Sequence, residues 1–222
     1  MISVAIDGPA GAGKSTIAKL VSKELGFIYI DTGALYRSIG YFVLKNGGDI
    51  DNSESVVSFL PKIEVELKFI EGVQHVFVNG EDVSDKIRTE EVSQAASKVS
   101  AIPKVREFLL ELQRSFAKKY NVVMDGRDIG TVVLPNANVK IFLTASAEVR
   151  ANRRYKEQIE RGLDVDYDSI LNDIKERDFR DENREIAPLK CAEDGVYLDS
   201  SDFSIEQNVA AVLKIIKEKG EV

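Results

Sequence analysis

Near its start the chain reads Gly8-Pro9-Ala10-Gly11-Ala12-Gly13-Lys14-Ser15-Thr16, which matches the pattern G-x-x-x-x-G-K-[ST]. A short apolar run at residues 2–6 precedes this segment, and apolar residues at helical spacing follow it through Leu25. The glycines let the backbone wrap around a phosphate with N–H groups pointing inward, and the helix start adds a positive dipole end. We therefore expect residues 8–16 to bind a nucleoside triphosphate such as ATP.

Three side chains in or near this loop carry its expected chemistry. Lys14 should face the ligand, bridge the β- and γ-phosphates and act in catalysis, while the Ser15 hydroxyl should bind Mg²⁺. Asp125, which ends a later apolar strand, is expected to hold a water molecule of the Mg²⁺ shell. The alternative for Asp125 is a structural capping role. The predicted cofactors are ATP and Mg²⁺.

The segments around the loop alternate between strand-like and helix-like patterns. Apolar runs predict strands at residues 2–6, 27–30, 121–124, 139–143 and 196–198. Helical spacing predicts helices at residues 14–25, 34–44, 147–161, 168–184 and from 205 onward. Strands with few polar positions, separated by helices, are typical of a parallel sheet covered on both faces. The expected fold class is α/β, a doubly wound core with a five-stranded parallel sheet flanked by helices.

One segment interrupts this alternation, at about residues 61–88. Its runs at 65–69 and 76–78 alternate apolar and polar positions, and Glu71-Gly72 and Asn79-Gly80 are turn signals. A small antiparallel β insert is the simplest interpretation. The length of 222 residues suits a single domain, 1–222, made of one core that carries an insertion.

The composition excludes several classes of protein. With 44% apolar and 30% charged residues, the chain can bury a core and is neither disordered nor fibrous. A net charge of -7 argues against partners such as nucleic acid or an anionic membrane, which need a basic field. The chain has no apolar stretch that approaches about 20 residues, the length needed to span a bilayer. The single cysteine, Cys191, and the absence of a signal-peptide pattern predict a cytoplasmic location.

The arginines are concentrated in one part of the chain. Seven of the twelve fall between Arg150 and Arg184, and helical spacing puts several on shared faces. Arginine suits phosphate because its planar fork donates two hydrogen bonds at once. We therefore expect residues 150–184 to form an arginine-rich helical lid over a transferring phosphoryl group. The alternative is a solvated face with salt bridges to Glu157, Glu176 and Glu182.

Two further arginines suggest what the acceptor is. Arg37 lies one turn beyond the end of the second predicted strand, and Arg127 follows the strand at 121–124. Doubly wound folds bind ligands in the crevice at these strand ends. Two guanidinium groups there suit an acceptor that is itself a phosphate ester. Such an ester has its second pKa near 6, so its oxygen is already a nucleophile at pH 7 and needs no general base.

Five segments together resemble bacterial cytidylate kinases, a branch of the nucleoside monophosphate kinase family. They are residues 7–16 (DGPAGAGKST), 31–37 (DTGALYR), 83–88 (VSDKIR), 125–131 (DGRDIGT) and 177–189 (RDFRDENREIAPL). The phosphate loop alone is widely shared among unrelated enzymes, whereas the second and fourth segments together are far more selective. The resemblance covers essentially the whole chain.

The resemblance implies a P-loop nucleoside monophosphate kinase core with an acceptor-binding insert at about 33–100 and a lid at about 150–184. It implies a monomer that uses ATP to phosphorylate CMP and dCMP. The residues it assigns to catalysis are Lys14, Arg127, Arg153, Arg177 and Arg184. Those it assigns to CMP are Thr32, Arg37 and Arg127 at the phosphate, Ser97, Arg106, Asp128 and Arg184 at the cytosine, and Arg177 and Asp181 at the sugar.

Two other functions remain open at this point. One is a kinase for another small phosphate or hydroxyl acceptor, such as a different nucleotide or a sugar acid. The other is a switch or binding module that uses the loop for regulation. The arginine-rich segment disfavours the switch, since a switch needs a responsive partner surface and the sequence shows none. Asp128 also has a structural alternative, the capping of the turn that follows residues 125–127.

Overall fold

The computed structural model describes residues 1–220, which form a five-stranded parallel sheet, a three-stranded antiparallel sheet and flanking helices. The strands are β1 (Ser3–Asp7), β2 (Ile28–Asp31), β3 (Val65–Ile70), β4 (Val73–Val78), β5 (Glu81–Asp82), β6 (Val122–Gly126), β7 (Val139–Thr144) and β8 (Val196–Asp199). The helices are α1 (Lys14–Leu25), α2 (Thr32–Lys45), α3 (Ser53–Phe59), α4 (Glu90–Val99), α5 (Pro103–Lys119), α6 (Ala147–Glu160), α7 (Tyr167–Asn183) and α8 (Ile205–Lys219).

The parallel sheet has the strand order β2-β6-β1-β7-β8, which confirms the predicted fold class. Its register sets Asp31 of β2 beside Asp125 of β6, and Asp7 of β1 beside Gly126 of β6. The phosphate loop follows β1 directly. Because parallel strands end at one edge of a sheet, three of the motif segments meet in one crevice.

Apolar side chains on both faces of the central strand hold this sheet between its helices. Val4 and Ile6 of β1 are fully buried in a cluster with α1 and α8, whereas Ala5 belongs to a cluster on the other face with Met124. Burying a side chain of this size contributes about 1.5–3 kcal/mol to the free energy of unfolding. Within residues 1–220, none of the helices combines the length and apolar character needed to cross a membrane.

The segment that interrupts the alternation forms the three-stranded sheet β3-β4-β5. Glu71 and Gly72 have φ of 52° and 79°, and Asn79 and Gly80 have φ of 50° and 80°. Positive φ at both central residues is the geometry of the tight hairpin turn that such sequences favour. This sheet packs with α2, α4 and α5 around a separate core cluster that includes Val76.

Among the elements that the sequence patterns do not predict are helix α3 and a π-helical turn. Helix α3 is only seven residues long, and Asn52 caps it by accepting hydrogen bonds from two backbone N–H groups. A π-helical turn spans Ile129–Val133, where the Asp7 carboxylate accepts the N–H groups of Ile129 and Gly130, both at 2.7 Å. This second element depends on a residue more than a hundred positions away, so local patterns could not predict it.

Candidate active site

The phosphate loop has the backbone conformation that its glycines suggest. Gly8, Gly11 and Gly13 have φ of 148°, 76° and 88°. A Cβ atom on Gly8 would lie 1.9 Å from the carbonyl oxygen of Leu143 in β7, so only glycine fits there. Gly13 precedes α1 without a side-chain cap, which leaves the first N–H groups of this helix free to bind an anion.

Lys14 is less accessible than the sequence predicts. It lines the crevice at the strand ends, but it is only 6% exposed, and its Nζ donates a hydrogen bond to the carbonyl oxygen of Pro9 at 2.7 Å. Burial, together with the nearby Arg127, lowers the pKa of Lys14 to about 7. The negative charge of a bound triphosphate would raise this pKa and stabilise the ammonium form.

The crevice holds a cavity of about 240 Å³ between the phosphate loop, the strand ends and helices α2, α4, α5 and α7. All the residues that the family resemblance assigns to CMP line it. They are Thr32, Arg37, Ser97, Arg106, Arg127, Asp128, Arg177, Asp181 and Arg184. Ala10, Gly11, Lys14, Ser15 and Asp125 line the same cavity from the donor side. Residues from six elements and their connecting loops therefore converge on one space.

The guanidinium groups at the acceptor end leave donors for an anion. Arg37 pairs with Asp31 at 2.7 Å and Arg127 donates to Asp181 at 2.8 Å. Within residues 1–220, the buried Nε atoms of Arg37 and Arg177 have no hydrogen-bond partner. Burial, reinforced by the neighbouring Arg127, lowers the pKa of Arg177 to about 10. Buried donors of this kind are satisfied when an anion binds.

Asp128 also lines the cavity, and its carboxylate meets two arginines. It forms a close ion pair with Arg106, and the Arg184 guanidinium lies 3.5 Å from its second oxygen. Burial raises the pKa of Asp128 despite these cations. Its side chain accepts no backbone N–H of the adjoining turn, so the capping alternative finds no support.

Asp125 lies beside the phosphate loop, where it accepts two hydroxyl hydrogen bonds. The Ser15 hydroxyl donates to its Oδ2 and the Tyr29 hydroxyl donates to its Oδ1, both at 2.8 Å. Burial, together with the charge of Asp31, raises the pKa of Asp125 to about 6. Within residues 1–220 its side chain accepts no backbone N–H, so the capping alternative for this residue finds no support either.

The oxygen atoms of Ser15 and Asp125 fit a hard cation such as Mg²⁺. Within the described residues, no group of three or more His, Cys, Asp or Glu side chains is placed to bind a metal ion. Such a site would therefore rely on phosphate oxygens and water for most of its ligands, which is how Mg²⁺ is commonly held beside a nucleotide.

The arginines of α6, and Arg161 directly after it, do not contact a common partner. Arg153 donates to the carbonyl oxygen of Ser200 at 3.0 Å and does not line the cavity, so the structure does not bring it together with the other residues predicted to be catalytic. Arg161 is exposed and pairs with Glu157, as the alternative interpretation predicted. Arg150 is instead buried, forms two hydrogen bonds with Asp178, and donates to the carbonyl oxygen of Ala10 in the phosphate loop.

Comparison with known proteins identifies the family. The family model described as cytidylate kinase matches residues 4–218. The chain belongs to the cytidylate kinase family. Among its relatives is a cytidylate kinase of Caldicellulosiruptor bescii, 53% identical over 96% of this chain and 95% of that protein. Another is the cytidylate kinase of Bacillus subtilis, 46% identical over 98% of this chain and 97% of that protein.

The solved structures agree on the fold alone. An uncharacterized protein from Eubacterium ventriosum superposes with a TM-score of 0.55 at 12% identity and covers 98% of this chain. The prediction of a cytidylate kinase, made from five motif segments, is confirmed by the family match. An enzyme of this family is thereby favoured over a nucleotide-dependent switch.

Sequence reasoning missed several residues of the site. Tyr36 and Asp31 line the cavity, and Tyr29 reaches Asp125 from β2. The ring of Tyr36 lies 5.7 Å from the Arg106 guanidinium, close enough for a cation–π contact. Tyr36 and Asp31 belong to the segment at 31–37, so that motif could have indicated them. Tyr29 lies in an ordinary strand pattern, and no local signal marks its hydroxyl.

Proposed function

We propose that this protein transfers the γ-phosphoryl group of ATP to CMP and dCMP, giving ADP and CDP or dCDP. The observation that carries the proposal is the convergence of all nine residues assigned to CMP on one cavity beside the phosphate loop. An oxygen of the CMP phosphate attacks the γ-phosphorus of ATP. The bond between the γ-phosphorus and the oxygen that bridges the β- and γ-phosphates breaks. The product ADP carries the electron pair of the broken bond away.

The arginines position and neutralise the two phosphates that meet in this reaction. Arg37 and Arg127 bind the acceptor phosphate, and Thr32 holds the start of α2 against β6 through its hydrogen bond to the Asp125 carbonyl oxygen at 2.7 Å. Arg177 reaches toward the transferring group from the lid. Charge that develops on the equatorial oxygens in the transition state is stabilised by such fixed cations. No residue of the chain needs to accept a proton from the monoester.

Asp128 and Arg106 select the base. Cytosine presents an exocyclic amine, which a carboxylate can accept from, and ring acceptors, which a guanidinium can donate to. Uracil replaces the amine with a carbonyl oxygen, which would face the Asp128 carboxylate without a hydrogen bond. Asp181, which accepts a hydrogen bond from Arg127, contacts the sugar together with Arg177.

Lys14, Ser15 and Asp125 serve the donor side. Lys14 leaves the Pro9 carbonyl oxygen to bridge the β- and γ-phosphates, and Ser15 and Asp125 would hold Mg²⁺, Asp125 through water. When bound, the ion supplies positive charge to the β- and γ-phosphate oxygens. Arg153 lies outside the cavity and donates to the Ser200 carbonyl oxygen, so we do not include it among the residues proposed to contact the phosphates. We further propose a monomeric, cytoplasmic enzyme, for which the net negative charge and the single cysteine are the support.

A coupled assay for ADP tests the proposal with CMP, dCMP, UMP, a sugar acid or no acceptor. Production of ADP that depends on CMP and far less on UMP is the expected result. ADP production without any acceptor would favour a nucleotide hydrolase or switch, and dependence on the sugar acid would favour the other kinase class. With a chiral γ-phosphoryl group, a single in-line transfer inverts the configuration, whereas retention would indicate a phosphoenzyme intermediate.

A further inference from the structure

Tyr29 lies outside every motif of the sequence, and yet its hydroxyl reaches into the donor site. It is on β2, two residues before Asp31, and it donates a hydrogen bond to Asp125 Oδ1 at 2.8 Å. The register of the two strands pairs Asp31 with Asp125, so Tyr29 approaches the carboxylate from the neighbouring strand. The hydroxyl therefore contacts one of the two side chains proposed to hold Mg²⁺.

The two oxygens of Asp125 accept hydrogen bonds from side chains with different proposed roles. Oδ2 accepts from Ser15, which belongs to the phosphate loop and has its own proposed contact with the ion. Oδ1 accepts from Tyr29, which has no other proposed duty. Asp125 is only 4% exposed, and its carboxylate accepts no hydrogen bond from the backbone of residues 1–220. When Ser15 turns toward a metal ion, Tyr29 is the remaining protein donor.

The surroundings of Tyr29 keep this donor in place. Its ring packs against the core cluster formed with α1 and α8, and Lys19 Nζ lies 5.6 Å from the ring centroid. Lys19 is one helical turn beyond Ser15 on α1. Burial, together with Asp125, raises the pKa of Tyr29, so the phenol stays neutral and remains a donor. Tyr29 is half-buried, with its ring against the core and its hydroxyl on one well-placed acceptor.

We propose that Tyr29 is a positioning residue that fixes the plane of the Asp125 carboxylate, so that Asp125 stays directed at the Mg²⁺ position after Ser15 has engaged the ion. This inference rests on the proposed role of Asp125 toward Mg²⁺. Groups that orient a metal-binding side chain commonly change metal affinity by about 10- to 100-fold when they are removed. Since Asp125 acts through water, we expect an effect near the lower end of that range.

Tyr29→Phe tests the proposal because it keeps the ring and removes only the hydroxyl. The first measurement is the affinity for ADP by calorimetry, with and without Mg²⁺, which needs no turnover. We expect the increase in ADP affinity caused by Mg²⁺ to shrink about tenfold, while the affinity without Mg²⁺ stays the same. The second measurement is the Mg²⁺ concentration for half-maximal kcat, which should rise by a similar factor. Tyr197→Phe is the matched control, since Tyr197 is 62% exposed and stacks on Phe142 in β7.

Two further variants separate the possible outcomes: Asp125→Asn alone, and Asp125→Asn combined with Tyr29→Phe. If Tyr29 acts through Asp125, Tyr29→Phe has little further effect on Mg²⁺ coupling in the Asp125→Asn background. A lower Tm for Tyr29→Phe with unchanged Mg²⁺ coupling would overturn the proposal and leave Tyr29 a structural residue. A change with Asp125→Asn and none with Tyr29→Phe would overturn it while the proposed function stands. No change with either variant would remove the metal role of Asp125 itself, and with it the role of Tyr29.

Discussion

Asp7 Oδ2 accepts a hydrogen bond from the backbone N–H of Gly130 at 2.7 Å, across 123 positions of the chain. Gly8 of the phosphate loop follows Asp7 directly, and Asp128, which also lines the cavity, lies two residues before Gly130. One buried carboxylate therefore joins the phosphate loop to the turn that follows Asp128.

The free energy of unfolding of the ligand-free protein should pass through a minimum near neutral pH. Burial raises the pKa of Asp7 from 3.8 to about 7 and that of Asp125 from 3.8 to about 6. Between about pH 4 and pH 7 these two carboxyl groups hold more protons in the folded protein than in the unfolded chain. The free energy of unfolding therefore falls as the pH rises through this range. Burial and Arg127 lower the pKa of Lys14 from 10.5 to about 7, so above neutral pH the free energy of unfolding increases again.

Urea denaturation at about pH 5, 7 and 9, analysed by linear extrapolation, measures this dependence. Asp7→Asn should weaken the decrease on the acid side, because the variant has no carboxylate to titrate. A free energy of unfolding that rises steadily from pH 5 to 7 in the wild-type protein would contradict the prediction.

Lys14→Ala should lose activity without losing the fold. We expect kcat to fall by roughly 10²- to 10³-fold, the scale for removing one preorganised charged donor. Because the ammonium group is buried against a single carbonyl oxygen, its removal should leave Tm unchanged or raise it. Steady-state kinetics and thermal denaturation check the two parts, with the exposed Lys23→Ala on the same helix as control. Normal residual activity in a variant with a much lower Tm would show that Lys14 is structural.

Arg177→Gln and Arg153→Gln should differ strongly although both arginines belong to the lid. Arg177 lines the cavity with an unpartnered Nε atom, whereas Arg153 donates to the Ser200 carbonyl oxygen. Loss of an arginine from a phosphoryl-transfer site lowers kcat by about 10³-fold or more, so we expect an effect of that order for Arg177→Gln. For Arg153→Gln we expect kcat near the wild-type value and about 1 kcal/mol less stability. Comparable losses of kcat would restore the sequence-based assignment of Arg153.

Asp128→Ala and Asp181→Ala should change different selectivities. Asp128 meets Arg106 and Arg184 at the base end of the cavity, so Asp128→Ala should reduce kcat/KM for CMP far more than for UMP. The expected loss is about 1–3 kcal/mol per unpaired partner. Asp181→Ala should alter the ratio of CMP to dCMP and leave the ratio of CMP to UMP nearly unchanged.

Competition assays with mixed nucleotides measure both ratios directly. Equal losses for CMP and UMP in Asp128→Ala would mean that Asp128 only supports the turn and does not contact the base. Because Asp181 also holds Arg127 at 2.8 Å, its variant should in addition weaken acceptor binding in general. Arg127→Lys separates this effect, since it perturbs the phosphate contact without removing the carboxylate.

The phosphate loop and the alternation of strands and helices could be predicted because each depends on residues that are close together in the sequence. The family could be predicted from five short motif segments. Residues 8–16 carry their glycines at fixed spacing, and the turn signals at Glu71-Gly72 and Asn79-Gly80 mark hairpins through backbone conformation alone. The nine CMP residues could be named only through the resemblance of whole segments. Parallel strands that end at one edge of the sheet bring together Thr32, Arg37, Arg127 and Asp128, which follow β2 and β6. The other five come from α4, α5, α7 and the residue after α7.

The sequence by itself determined the phosphate loop and the α/β class, since helical and strand periodicity and glycine conformation are local properties of the chain. It also indicated the chemistry of the acceptor, through the two arginines that follow the strand ends. Only the tertiary structure decided that Arg150 donates to the phosphate loop while Arg153 donates to Ser200. It also decided that Tyr29 and Asp7 each form a hydrogen bond with a distant residue of the segment at 125–131. These roles depend on burial and on contacts between residues far apart in the chain. The hydrogen-bond partner of a charged or hydroxyl side chain is fixed only when packing excludes water from around it.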